Sequence, residues 1–237
     1  MNGRTHALIG CAIVPPTAVV SGLSLPETTV LTVISAGFAL GPDIDHPNST
    51  ISRALGRPVH ELLHGMSTAA RTVLASPMDR IRFQAAEHRG IDPSHRSLTH
   101  TLIFSVAMGG LAYLVGHSAM AVAVMAAVCM AVCRKLVPRV SQFAFWGGAL
   151  AVLALGAYTT LSPRQVALAA AAGWFSHVVA DACTTAGVPV LWPLKVKGRR
   201  WWRFRPLGSW LKSGESKEML AAIGVALVMN IPPYVLA

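Results

Sequence analysis

Long apolar runs separated by polar punctuation dominate this chain. Seven can be read as helices: Ala7 to Val20, Thr28 to Leu40, Thr101 to Val115, Ser118 to Val132, Phe143 to Leu161, Gln165 to Val179 and Met219 to Val235. Several fall short of the roughly 20 residues that span a bilayer, and Pro15-Pro16 is expected to interrupt the first. Between them lie a polar segment over about residues 46–97, a basic turn at Arg134-Lys135-Leu136-Val137-Pro138-Arg139, and a basic aromatic stretch over about 194–217. The pattern predicts an all-α, multi-helix integral membrane bundle forming one domain over residues 1–237.

Composition sharpens that reading. Hydrophobic residues make up 53% and charged residues 13%, with a mean hydropathy of +0.52. That is too apolar for an ordinary soluble domain, about a quarter of which is charged. The net charge is +10. If the seven runs alternate across the membrane, every Lys and Arg except Arg164 falls on one side, which the positive-inside rule makes cytoplasmic. The chain then reads as a multi-pass inner-membrane protein with its N-terminus in the cytoplasm and anionic lipid headgroups as partners. The four cysteines lie in or beside apolar runs and read as free thiols. Leu8-Ile9-Gly10-Cys11 looks like a lipoprotein cleavage box, but the apolar run before it is too short for a signal peptide, so the N-terminus is expected in the mature protein.

The same alternation places the chemically able residues on one face. His6 precedes the first run, Asp43 and Asp45 follow the second, His95 and His100 precede the third, His177 and Asp181 close the sixth, and Glu218 opens the seventh. Residues five apart on a helix differ by roughly 140°, so His95 and His100 converge only if His95 is in a loop and His100 in a first helical turn capped by Ser97 or Thr99. Prolines bracket Gly41-Pro42-Asp43-Ile44-Asp45-His46-Pro47, which predicts an extended loop presenting Asp43 and Asp45 together. Two carboxylates held close want a cation. His177 and Asp181 are four apart, on one helical face, and costly to bury without a partner. Imidazole with carboxylate points to zinc, or else manganese. Such an ion activates water near neutral pH, and Arg96 would stabilise an anionic transition state, with Glu218 as a weaker acid or base. The implied reaction is metal-assisted hydrolysis.

Two other signals compete. His60-Glu61-Leu62-Leu63-His64 matches the H-E-x-x-H pattern of zinc metalloproteases, with Glu87 a conceivable third ligand, but the extended zincin pattern does not follow it. The stretch Arg199-Arg200-Trp201-Trp202-Arg203-Phe204-Arg205 has the chemistry to grip nucleic acid, yet beside membrane helices an interfacial anchor on anionic lipid is the better reading. A protein that binds metal without turnover is the non-enzymatic alternative.

Taken together, several pieces resemble the YdjM-like family of inner-membrane metal-dependent hydrolases, some of them LexA-regulated. They are Thr5-His6 with Gly10, Pro42-Asp43-Ile44-Asp45-His46-Pro47 with Ser49, His95-Arg96 with Thr99-His100, His177 with Asp181, Gly187 with Pro193, and Gly214 with Glu218. Ser97 departs from the family's usual glycine. The resemblance implies a helical membrane protein with a metal-dependent site, and carries ligand candidacy onto His6, Asp43, Asp45, His95, His100, His177 and Asp181. By fold-level analogy with the all-helical zinc phospholipase C and nuclease fold, it implies a phosphoester substrate such as a phospholipid headgroup.

Overall fold

A computed structural model describes residues 2–206 apart from 91 and 138, together with residue 224. Glu218, the run from Met219 to Val235, Gly214 and the part of the basic aromatic stretch beyond Pro206 lie outside the described residues.

The described chain is all-helical apart from turns, loops and two isolated β-bridges. Its α-helices are α1 (Gly3–Val20), α2 (Leu25–Phe38), α3 (Thr50–Leu55), α4 (Arg57–Leu74), α5 (Pro77–Glu87), α6 (Leu102–Val115), α7 (Ala119–Cys133), α8 (Gln142–Tyr158) and α9 (Pro163–Ala182). The first six apolar runs all appear as helices. Pro15 and Pro16 do not break α1, which continues to Val20 despite the two amide donors they remove. Packing against α2 and α9 holds it in shape. The polar segment is not plain loop: it folds into α3, α4 and α5. Ser76 and Asp79 form a reciprocal cap that starts α5, with Pro77 in its first turn.

Three helices form the frame of the site. α1, α2 and α9 pack on one another, α6 lies along α9, and α7 pairs with α2 and α8. Small residues allow the close approach: a methyl added at Gly173 would overlap the Ser35 carbonyl, and one at Gly10 would crowd Ala39 and the same carbonyl. Ser35 Oγ donates to the Gly10 carbonyl at 2.8 Å, tying α2 to α1 without burying an unmet hydroxyl. A core of Val14, Val30, Ile34, Val122, Val166 and their neighbours fills the interior behind this seam.

Among the described residues, one helical stretch is long and apolar enough to cross a membrane, Ala119–Leu136, and 28% of it is buried in the protein. Leu102–Val115 and Gln142–Tyr158 are apolar but shorter. The four cysteines are free, with Cys129 buried against Gly37.

Candidate metal centre

Gly41 to Asp45 is a 3-10 turn, not the extended loop its prolines predict. Pro42 sits at the start of that turn, where its fixed φ is suited to helix, so it begins the turn rather than forbidding it. The consequence corrects the pairing of the two carboxylates. Asp43 faces α9, whereas Asp45 is fully buried and accepts from His95 Nδ1 and from Thr99 Oγ1, each at 2.9 Å.

His100 is in a second 3-10 turn, Leu98–His100, just ahead of α6. The cap of α6 is Thr101, whose hydroxyl accepts from the Phe104 amide, so neither Ser97 nor Thr99 caps that helix. The sharp bend between His95 and His100 falls at Arg96, at φ 58°, the left-handed region that is rare for a residue with a side chain.

These turns bring Asp43, His100, His177 and Asp181 together, with one ligand atom from each lying within 4.8 Å of all the others. His177 Nε2 is 3.4 Å from Asp43 Oδ1 and 3.6 Å from Asp181 Oδ2. His100 Nε2 is 3.7 Å and 3.4 Å from the same two atoms. Ligands about 2.1 Å from a tetrahedral ion stand about 3.4 Å apart, so the spacing suits a coordination shell.

The outer partners decide which atoms point inward. His177 Nδ1 lies 2.8 Å from the Ala39 carbonyl and must donate to it, which in the neutral imidazole leaves Nε2 as a lone pair. The Thr99 hydroxyl donates to Asp45, so it accepts from His100 Nδ1 at 3.0 Å, and the His100 Nε2 lone pair also faces inward. Both Nε2 atoms are fully buried without a hydrogen-bond partner. Two lone pairs and two carboxylate oxygens converging in a buried space require positive charge between them. Protonated imidazoles bring some of that charge themselves. Burial alone would raise the Asp43 carboxyl, but the imidazoles facing it, His177 first, hold it well below the usual carboxylate range.

The other sequence candidates fall around this group. His6 is buried and stacks on His177 with ring centroids 3.5 Å apart, its Nε2 3.5 Å from Asp181 Oδ1. Neither of its ring nitrogens has a hydrogen-bond partner, as expected of a residue beside an ion or water site. Asp45 and His95 stand one layer out. Arg96 grips Asp181 with two nitrogens, Nε to Oδ2 at 2.9 Å and an NH2 group to Oδ1 at 3.0 Å, and donates to Thr184 at 2.8 Å. A guanidinium fixed in this way orients a ligand carboxylate rather than reaching for an anion. Thr184 and the Ala39 carbonyl are partners that sequence reasoning missed, and Thr99, named there as a candidate cap and in the family pattern, instead bridges Asp45 and His100.

Among the described residues, His60 and His64 join no metal-capable group. His60 Nδ1 meets the Ile44 carbonyl at 2.8 Å and His64 Nδ1 the Asp45 carbonyl at 3.2 Å, so both pin the Asp43 turn from outside. Glu61 pairs with Arg57, and Glu87 with Arg71. The described part of the basic aromatic stretch folds back on α5. Trp201 is buried and stacked on Trp192, and the Arg200 and Trp201 amides donate to Asp79.

Two cavities flank the centre. One, of about 400 Å³, opens on Asp43, His46, His95, Arg96 and Arg53. Burial, then His95, lowers the His46 imidazole, keeping it neutral at its rim. The other, of about 570 Å³, is lined by Arg82, Lys197, Arg199, Arg203 and Arg205. Burial, with Arg82 and Arg96 near, pulls the Arg203 guanidinium down to about 10.

The sequence profile of the YdjM inner membrane protein family matches residues 1–233. The chain belongs to that family. No curated protein matches it, and no solved structure does. As a member of the YdjM family it is a membrane protein, with a His/Asp group able to hold a metal ion.

Proposed function

We propose that this YdjM-family chain is a membrane-bound, metal-dependent hydrolase whose substrate is a phosphoester, with a phospholipid headgroup as the leading class. The observation that supports this most is the convergence of Asp43, His100, His177 and Asp181 on one point, with the last three buried and Asp43 at the cavity side. Two imidazoles and two carboxylates favour zinc, with manganese the next candidate. A divalent ion held there would supply Lewis acidity toward a phosphoryl oxygen and acidify water near neutral pH.

The chain's own groups give the rest of the chemistry. Asp45 fixes His95 through Nδ1, and the His95 side chain is 27% exposed at the open cavity. A partly exposed imidazole oriented by a carboxylate is suited to deliver a proton to a departing alkoxide. Arg53 on the rim and the neighbouring basic cavity would hold the substrate's remaining negative charge. Arg96 acts through Asp181, keeping it ionised and in place. The charge asymmetry of the loops supports a multi-pass arrangement in the inner membrane with the N-terminus and the centre on the cytoplasmic side.

The test is elemental analysis of the detergent-purified protein, followed by a phosphoester screen with the metal restored. Wild type should carry zinc or manganese and turn over a phosphodiester or a phospholipid, and His100→Ala/Asp181→Ala should do neither. Bound metal without turnover over a broad panel would make the protein a metal binder, and no metal after reconstitution would remove the reading altogether.

A further inference from the structure

Helix α4 is built inside out. Toward the protein it turns His60, His64, Thr68 and Arg71, which bond respectively to the Ile44 carbonyl, the Asp45 carbonyl, Ser94 Oγ and Glu87, together with Ser67, whose hydroxyl is buried without a hydrogen-bond partner. Away from the protein it turns Val59, Leu62, Met66 and Val73, with Leu62 64% and Val73 73% exposed while Ser67 is fully buried. At about 100° per residue, those four side chains fall within about 60° of one another, a continuous apolar stripe. Met78 and Ile81 extend the exposed apolar surface onto α5.

Water disfavours such a stripe, and a helix that buries its polar face gains nothing from it inside the protein. A bilayer surface reverses the balance. We propose that α4 lies in the plane of the membrane, with this stripe in the boundary between headgroups and acyl chains of an anionic leaflet, so that the mouth of the metal centre opens at headgroup level.

Charge and position both argue for lipid as the occupant. Arg53 and Arg80 are exposed nearby, whereas the acid of α4, Glu61, is neutralised by Arg57 at 2.6 Å. That pattern complements anionic headgroups. The family is one of inner-membrane proteins. Arg53 lines both the cavity beside His60 and Glu61 and the cavity that reaches Asp43, joining the α4 surface to the centre. Through His60 and His64 the turn carrying Asp43 hangs from the inner side of the same helix, about one helix diameter (~10 Å) from the lipid-facing side chains. The placement does not rest on the hydrolase reading, since a metal protein without turnover would sit the same way.

The experiment places an environment-sensitive fluorophore on single cysteines, Leu62→Cys, Met66→Cys and Val73→Cys in turn, in full-length protein whose native cysteines are alanine. The protein is reconstituted into phosphatidylglycerol-containing vesicles, and circular dichroism with a monodisperse gel-filtration profile matching the unlabelled protein verifies the fold of each variant. Emission is expected to fall strongly with lipids brominated in the upper acyl chain and to resist aqueous iodide, with the glutathione adduct of the dye setting full iodide access. Iodide access equal to that adduct overturns the proposal. Protection from iodide without bromolipid quenching also overturns it, because the stripe is then covered by protein, whether a second copy or residues 207–237 of this chain.

Discussion

The molecule holds two histidine pairs that look alike in composition and differ in use. His100 and His177 each spend Nδ1 on an outer partner and aim Nε2 at two carboxylates. His60 and His64 also spend Nδ1, on the carbonyls of Ile44 and Asp45, but belong to no metal-capable group among the described residues. The first pair is drawn from two distant segments and the second from one helical turn. What makes an imidazole a ligand is the charge its free nitrogen faces, and spacing along a helix does not supply that charge.

The largest expected effect separates the pairs directly. His100→Ala/Asp181→Ala should lose bound metal entirely, whereas His60→Ala/His64→Ala should keep it, both read by elemental analysis of purified protein. The reverse result would move the centre to α4. Because Asp181→Ala also strands Arg96, that variant should be less stable by about 3–5 kcal/mol, and Asp43→Asn gives a gentler check of metal loss.

A smaller effect is expected one layer out. Asp45→Asn leaves the four ligands in place but weakens the hold on His95 and, through Thr99, on His100. Metal affinity or turnover should fall by about 10–100-fold, measured by chelator competition and by phosphoester hydrolysis. Unchanged values would mean that the two turns are set without it.

Packing comes next. Gly173→Ala forces α9 away from the Ser35 carbonyl and should cost about 1–3 kcal/mol in thermal unfolding, with weaker metal binding because His177 and Asp181 ride on the same helix. Smallest of all, His60→Ala or His64→Ala alone should lower stability by about 1 kcal/mol, the worth of one strap on the Asp43 turn, at unchanged metal content. A large metal loss from either would show that the strap also shapes the centre.

Much of the architecture is legible in the pattern of the chain because an apolar run of helical length has few other ways to satisfy its backbone. That is why α1, α2 and α6 to α9 fall where the runs do. The insertion is less legible. α4 and α5 mix polar and apolar residues at helical spacing, and their sequence does not say which face meets the protein. At the site, residue type was informative and role was not. Asp43 and Asp45 differ by two positions in one short turn, yet one joins the metal-capable group and the other steers His95 and Thr99. Arg96 read as a cation that would bind an anion or stabilise an anionic transition state, and in the structure it braces Asp181.

The sequence by itself determined the helices of the apolar runs, membership of a membrane protein family and the set of ligand-type residues, since these follow from local hydrophobicity and side-chain chemistry. Only the tertiary structure decided which four side chains converge, which nitrogens are spent on outer partners, and that α4 turns its polar face inward. Those outcomes depend on distances between segments far apart in the chain, set by the close seam of Gly10, Ser35 and Gly173 and by two 3-10 turns.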